Sequence, residues 1–216
     1  MEGPQLNDDQ RSRIQAILNY WYIPGSDRNG DIDPSLFKKW FGASAETDAE
    51  ITQNFKEDLL KLANGDHEAW KHDKEGKLAA VILCDQFTRN IFRKNKQAFD
   101  YDHIAMEIVK SISDEEFSTY ALQEQGFLIL PYEHDERLES QVKSTELADL
   151  MMKNALAIPD VAQGILRYAE QLKKYTEQHK ATIDQFGRYP HRNEVLERES
   201  TPEEVEYLKT AERYGQ

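Results

Sequence analysis

Apolar residues recur along most of the chain at intervals of three and four positions, a spacing that predicts amphipathic helices. The first stripe contains Ile14, Ile17, Leu18, Trp21 and Tyr22, and Asp8 or Asp9 is expected to cap its helix. Later stripes cover residues 51–62, 104–112, 117–121, 138–151 and 161–172. No segment alternates apolar and polar residues for long enough to indicate a strand. The pattern therefore predicts an all-α fold.

Glycine, proline and capping residues predict where these helices begin and end. Asn64-Gly65 and Gly187 are expected to stop helices, as is Pro131. Thr201-Pro202-Glu203-Glu204 predicts a helix start in which Thr201 caps and Glu204 closes a capping box. The connections between helices are short, which favours antiparallel neighbours. We expect one domain over residues 10–216, preceded by a flexible tail at residues 1–9.

The helix predicted over residues 77–93 is apolar on two opposite faces, which is typical of a buried central helix. One face carries Leu78, Val81, Ile82, Asp85, Arg89 and Phe92, and the other carries Ala80, Cys84, Phe87 and Ile91. Asp85 and Arg89 lie four residues apart on the first face, and two buried charges need partners. They form either an internal salt bridge or part of a polar pocket whose rim is formed by Gln86, Asn90 and Arg93.

A second polar segment follows the predicted helix end at Gly187. It consists of Arg188, Tyr189, Pro190, His191, Arg192 and Asn193, with a short helix expected from Pro190. Arginines beside a helix N-terminus favour an anion, because guanidinium groups bind carboxylates and phosphates through two parallel hydrogen bonds. The alternative is that these side chains cap neighbouring helices and pair with buried acids.

A third polar segment spans residues 131–136. His134 is a candidate general base that Glu133 or Glu136 would orient, and Asp135 is expected to cap the next helix. The alternative role for His134 is a structural hydrogen bond at a helix entrance.

Composition narrows the function classes. The net charge of −13 disfavours nucleic acid and anionic membranes, and no apolar run approaches the ~18 residues of a membrane span. The polar, acidic start does not resemble a secretory signal, and a single cysteine, Cys84, fits a reducing cytoplasm. No metal site or cofactor motif is expected. The loop around Gly30 lacks the final acid of a calcium loop. His67 and His72 are one residue too far apart in sequence for a zinc-binding helix, so their side chains would point about 140° apart and could not share one metal ion.

Six separated motifs together resemble the domain-of-unknown-function family nine-two-four, from Ile17 onward. They lie at residues 17–22, 40–42, 82–90, 127–141, 186–193 and 200–204, where 82–90 is similar to LLDQFPRN and 186–193 to FGRFPHRN. Thr88, Asp135 and Glu197 depart from the pattern, which has proline, serine and glycine there. The resemblance implies tetratricopeptide-like antiparallel helix pairs in a compact α-α superhelix around the central helix, and it implies no established activity.

Three functional hypotheses follow. The first is a binding protein whose polar concavity holds a small anionic ligand or an acidic peptide end, and whose ligand-binding residues are Asp85, Gln86, Arg89, Asn90, His134, Arg188, His191, Arg192 and Asn193. The second is a hydrolase or phosphoryl-transfer enzyme in which His134 or His191 acts as acid or base, positioned by Asp85 or Glu136. The third is a protein-interaction scaffold, which would present an exposed apolar groove to a protein partner.

Overall fold

The structure, a computed structural model, describes residues 4–211 and contains helices, turns and no strand within that range. The all-α prediction is confirmed. The α-helices are α1 Asp8–Trp21, α2 Pro34–Phe41, α3 Ala45–Asn64, α4 Lys74–Val81, α5 Thr88–Ile91, α6 Asp102–Lys110, α7 Asp114–Phe117, α8 Leu122–His134, α9 Leu138–Leu156, α10 Gln163–Phe186 and α11 Pro202–Tyr207. Short 3₁₀ helices occupy Glu68–His72, Lys96–Phe99 and Pro190–Arg192, and a π-helix occupies Ile82–Phe87.

The helix ends at Gly65 and Gly187 and the helix start at Thr201 lie where the capping residues predicted them, whereas the start of α1 differs by one or two residues. Gly65 and Gly187 close α3 and α10 in the left-handed region, with φ of 90° and 68°. Thr201 and Glu204 form the predicted capping box. The cap of α1 is Asn7, whereas Asp8 or Asp9 was expected. Asn7 and Gln10 exchange hydrogen bonds and so form a capping box.

The predicted tail at residues 1–9 therefore overlaps the first turn of α1 at residues 8 and 9. Residues 1–3 and 212–216 lie outside the described residues. The single domain over 10–216 and the tetratricopeptide-like arrangement stay predictions. Within residues 4–211, no helix combines the length and apolar character that crossing a membrane requires.

The prediction that Pro131 ends its helix was wrong, because α8 continues through it to His134. A buried proline is tolerated here because α8 packs against α9 along its length, and this packing outweighs the missing backbone hydrogen bond. Asp135 does not cap α9, which begins at Leu138. The Asp135 carboxylate instead accepts hydrogen bonds from Arg137 and Ser140. This arrangement brings His134 to the last turn of α8.

The central helix is buried as predicted, but it is not regular. α4, the π-helix and α5 run continuously from Lys74 to Ile91, and residues 78–88 are all buried. The π-helix packs an additional residue into the turn, so side chains after Ile82 depart from 100° spacing. Asp85 and Gln86 lie within this wider turn, and their positions decide the geometry of the site described below.

A cluster of aromatic side chains fixes α1, α2 and α8 around the π-helix. Trp21 packs edge-on against Phe87 and Phe127, with ring centroids 5.2 and 5.4 Å away. Trp40 packs edge-on against Phe127 at 4.9 Å and donates its indole N–H to the Trp21 carbonyl at 2.9 Å. Edge-to-face pairs add to the free energy of apolar burial. The cluster forms the wall behind the cleft described next.

Candidate functional site

A cleft of about 410 Å³ opens beside the central helix, and its lining includes residues of α2, α8, α10, the central helix and the 3₁₀ helices Lys96–Phe99 and Pro190–Arg192. α2 and α10 contribute mostly apolar and aromatic side chains, whereas the central helix, α8 and the 3₁₀ helix Pro190–Arg192 contribute polar ones. The apolar half includes Phe37, Trp40, Phe41, Leu130, Leu172 and Tyr175, and the polar half includes Gln86, Arg89, Asn90, His134, His191 and Arg192. The cleft is of a size that suits a small organic ligand.

The three polar segments singled out in the sequence meet at this cleft. Gln86, Arg89 and Asn90 reach it from the central helix, His134 from the end of α8, and the pair His191 and Arg192 from the segment after α10. Asp85 does not line the cleft but lies directly behind His134.

Arg188 and Asn193 point elsewhere, into a cluster around Glu204. Arg188 binds the Glu204 carboxylate through two hydrogen bonds, of 2.6 and 2.7 Å. The Asn193 amide donates to Glu204 Oε2 at 3.2 Å and to Ser200 Oγ at 3.0 Å. These two side chains join the polar segment at residues 188–193 to the start of α11. For Arg188 and Asn193, the sequence analysis gave pairing with a buried acid as the alternative to ligand binding, and this is the role that they have.

Asp85 and His134 form a close polar pair at the cleft. The Asp85 side chain is 1% exposed, and its Oδ1 lies 2.7 Å from His134 Nδ1. Gln86 donates to the other carboxylate oxygen at 2.6 Å. Burial acts to raise the pKa of Asp85, but His134, Arg89 and Gln86 together outweigh burial and lower it. Asp85 is therefore an ionised, acceptor-only partner of His134.

The expected salt bridge between Asp85 and Arg89 is present only as a long contact of 3.9 Å. Arg89 instead binds Asp102 at 2.9 Å and donates to the Ala98 carbonyl. The additional residue in the π-turn moves the two side chains away from the face-to-face position of a regular helix.

Arg192 has an unusual environment for a cation. Its side chain is nine-tenths buried, and its guanidinium donates one hydrogen bond, of 2.8 Å, to the His134 carbonyl. Its Nε–H has no partner within residues 4–211, and no carboxylate of that range pairs with it directly. The guanidinium lies over the rings of Phe99 and Tyr189, at 5.0 and 4.7 Å from their centroids.

The charge near Arg192 is positive at neutral pH. Burial and the neighbouring Arg89 lower the pKa of Arg192, but an arginine remains protonated in proteins. Burial, with the charge of Asp85, raises the pKa of Glu133 to about 8, so this carboxyl is mostly neutral at pH 7. Burial, with the charge of Arg192, also lowers the pKa of His191 to about 3, so its imidazole is neutral. Arg192 thus faces the cleft with no carboxylate in direct contact among residues 4–211. The charges of Asp102 and Glu136 act on it, but these two carboxylates form ion pairs with Arg89 and Arg198.

Several residues of the cleft were not expected from the sequence. α10 contributes Tyr168, Tyr175 and His179, and α2 contributes Phe37 and Phe41. One signal was available for His179, which lies in the buried stripe of α10 with Tyr168 and Leu172. The aromatic residues could not be told from core positions by spacing alone. Among residues 4–211 no cluster of three or more His, Cys, Asp or Glu side chains could hold a metal ion.

Comparison with known proteins gives a family without an assigned activity. A family model described as "Bacterial protein of unknown function (DUF924)" matches residues 17–212. A solved structure of ATU0120, a protein of unknown function from Agrobacterium tumefaciens, is 26% identical with a TM-score of 0.76. The match covers 94% of this chain and 100% of that one. No curated protein matches the chain.

Proposed function

The chain belongs to the bacterial DUF924 family, and from the geometry of its cleft we propose that it binds a small carboxylate with an apolar body. The observation that carries the proposal is Arg192, a buried arginine that faces the cleft without a carboxylate partner. Burying a cation without a counter-charge costs several kcal/mol, and a bound anion removes part of that cost. A carboxylate in the cleft would accept hydrogen bonds from the part of the Arg192 guanidinium that lines it.

The charges around Arg192 favour one negative charge over two. Arg89 is already paired with Asp102, and Arg93 is paired with Asp48 at 2.6 Å. Among the guanidinium groups that line the cleft within residues 4–211, Arg192 is then the one without a direct carboxylate partner, and one carboxylate suffices to pair with it. Gln86 and Asn90 are held by Asp85 and Asp48, so their amide groups are fixed at the cleft and available to orient the ligand.

The other half of the cleft supports an apolar ligand body. Trp40 and Leu172 are buried in its wall, while Phe37 and Phe41 are partly exposed and pack with ring centroids 4.9 Å apart. An apolar group placed between α2 and α10 would bury these exposed ring faces, and each CH₂ removed from water contributes about 0.8 kcal/mol. We therefore expect affinity to rise with the apolar size of the carboxylate.

Composition supports two further parts of the proposal, the cellular location and the class of ligand. The buried thiol of Cys84 and the absence of any second cysteine fit a reducing cytoplasm, which we propose as the location. The net charge of −13 favours a small ligand or a protein partner over nucleic acid.

The proposal predicts that carboxylates stabilise the protein through Arg192. We expect hexanoate or phenylacetate, at 100 times the dissociation constant, to add about 2.7 kcal/mol of stability by mass action. For a chain of this length that corresponds to a rise in Tm of about 5–10 °C. Acetate and inorganic phosphate should act less strongly. Differential scanning fluorimetry across ligand concentrations measures these shifts.

The matched variants are Arg192→Gln and Arg188→Gln. Both remove an arginine from the same segment, but Arg188 pairs with Glu204 outside the cleft. Each variant is compared with itself with and without ligand, so that its own stability cancels. The ligand-induced shift should disappear in Arg192→Gln and persist in Arg188→Gln. Equal shifts in both variants, or no shift with any carboxylate in the unmodified protein, would contradict the proposal.

A further inference from the structure

The hydrogen bond between Asp85 and His134 fixes which nitrogen of the imidazole carries a proton. The ionised Asp85 carboxylate can only accept, so His134 Nδ1, 2.7 Å away, must donate. A neutral His134 then has its lone pair on Nε2. His134 lines the cleft, and no residue within 4–211 makes a hydrogen bond to its Nε2. This is the arrangement that a general base requires, with the orienting carboxylate buried and the basic nitrogen accessible.

The cation proposed to bind the carboxylate lies beside this base. Arg192 donates through Nη1 to the backbone carbonyl of His134 at 2.8 Å, which fixes the guanidinium beside the end of α8. The Arg192 guanidinium lines the same cleft as His134, so negative charge that develops on a bound atom there would lie near a fixed cation. A base and an oxyanion donor that line one cleft are the two components that acyl transfer to water needs.

The nucleophile in such a reaction would be water. No serine, threonine or cysteine is among the residues that line the cleft, within the part of the chain that the structure describes. Cys84 lies on the central helix but is completely buried, and burial raises the pKa of its thiol far above its usual range. A direct displacement by water needs only the base and the oxyanion donor.

We propose that the cleft hydrolyses carboxylic esters with an apolar acyl group, with His134 as the general base and Arg192 as the oxyanion donor. His134 Nε2 takes a proton from water as the water oxygen bonds to the ester carbonyl carbon. The π electrons of the carbonyl move to its oxygen, which becomes an oxyanion facing Arg192. When the C=O bond re-forms, the C–O bond to the alcohol breaks, and the alcohol oxygen takes the proton from His134.

The products are an alcohol and an apolar carboxylic acid, which ionises to the ligand class proposed above. The inference therefore rests on the proposed carboxylate site and adds the reaction that would produce its ligand. Asp85 is a positioning residue in this scheme, because its carboxylate makes polar contacts with His134, Gln86 and Arg89 and does not line the cleft. Its part is to hold the tautomer and to stabilise the imidazolium that forms.

The test uses p-nitrophenyl acetate, butyrate and hexanoate, with release of p-nitrophenolate as the measured rate. We expect turnover that increases with acyl length, and a loss of about 100-fold or more in kcat for His134→Asn. The matched control is His103→Asn, because His103 is exposed on α6 and binds only the Asp100 carbonyl, away from the cleft. Its rate should equal that of the unmodified protein. Asp85→Asn should lower kcat while KM changes little, because the wrong tautomer is then favoured.

Binding of hexanoate to the same variants separates this inference from the proposed function. His134→Asn should still bind hexanoate with a raised Tm, which also shows that it is folded. A protein that binds hexanoate but hydrolyses the esters no faster than His134→Asn would overturn the catalytic inference and leave the binding proposal standing. A protein that neither binds nor hydrolyses would overturn both.

Discussion

Replacing Trp21 by alanine is expected to lower the free energy of unfolding by about 3–5 kcal/mol, one of the two largest losses of stability that we expect from single substitutions. The Trp21 side chain is 1% exposed and contacts Phe87 and Phe127, so its removal leaves a cavity between α1, the π-helix and α8. Surrounding helices cannot collapse into that space without moving the wall of the cleft. For a chain of this length the loss corresponds to a fall in Tm of about 10 °C or more.

Urea unfolding followed by tryptophan fluorescence or circular dichroism measures this loss. Two further variants test whether the loss of a buried aromatic side chain causes the loss of stability. Leu156→Ala removes a large apolar side chain that is 66% exposed, and it should cost less than about 0.5 kcal/mol. Trp21→Phe should cost much less than Trp21→Ala, because the indole N–H of Trp21 has no hydrogen-bond partner within residues 4–211. If Trp21→Ala and Leu156→Ala were equally stable, the aromatic cluster would not be the centre of the core.

Replacing Asp85 by alanine is expected to cost about 3–5 kcal/mol as well, for an electrostatic reason. The carboxylate is buried and accepts hydrogen bonds from His134 and Gln86, while Arg89 lies 3.9 Å away. Its removal leaves the Gln86 amide and the His134 Nδ1–H without an acceptor in a place that water reaches poorly.

Asp48→Ala is the matched control. Asp48 accepts three hydrogen bonds from Arg93 and Asn90, which is more than Asp85 accepts, but its side chain is 19% exposed. Water can solvate the partners that remain, so we expect a loss of only about 1–2 kcal/mol. Equilibrium unfolding of both variants gives the comparison. A larger loss for Asp48→Ala would show that the number of hydrogen bonds, and not burial, determines stability at this helix.

Local chemistry explains which parts of the fold could be predicted. The ends at Gly65 and Gly187 and the capping box at Thr201 depend on neighbours within a few residues, so their structures follow from the sequence alone. The π-helix was missed because its apolar pattern is continuous with that of the α-helix around it, and spacing does not reveal an additional residue in one turn. The end of α8 was predicted at Pro131 but lies at His134, because the tertiary packing of α8 outweighs the local effect of proline.

The site was predictable as a set of segments but not as a set of contacts. Asp85 and Arg89 were expected to pair because a separation of four residues is visible in the sequence. The true partner of Asp85, His134, is 49 residues away and is brought close only by the packing of α8 against the π-helix. Arg188 and Arg192 look alike in sequence. Only the position of Glu204 in the fold separates the arginine that pairs within the protein from the one that faces the cleft.

The central claim is that Arg192 binds the carboxylate of an apolar ligand inside the cleft, and a crystal structure with 4-bromobenzoate tests it most directly. The anomalous signal of bromine locates the ligand, and the ligand concentration is set at the value that saturates its thermal shift. The predicted result is a bromine atom between α2 and α10 near Trp40, with a carboxylate oxygen about 3 Å from a nitrogen of the Arg192 guanidinium. A bromine site outside the cleft at that concentration, or a ligand whose carboxylate points away from Arg192, would contradict the account.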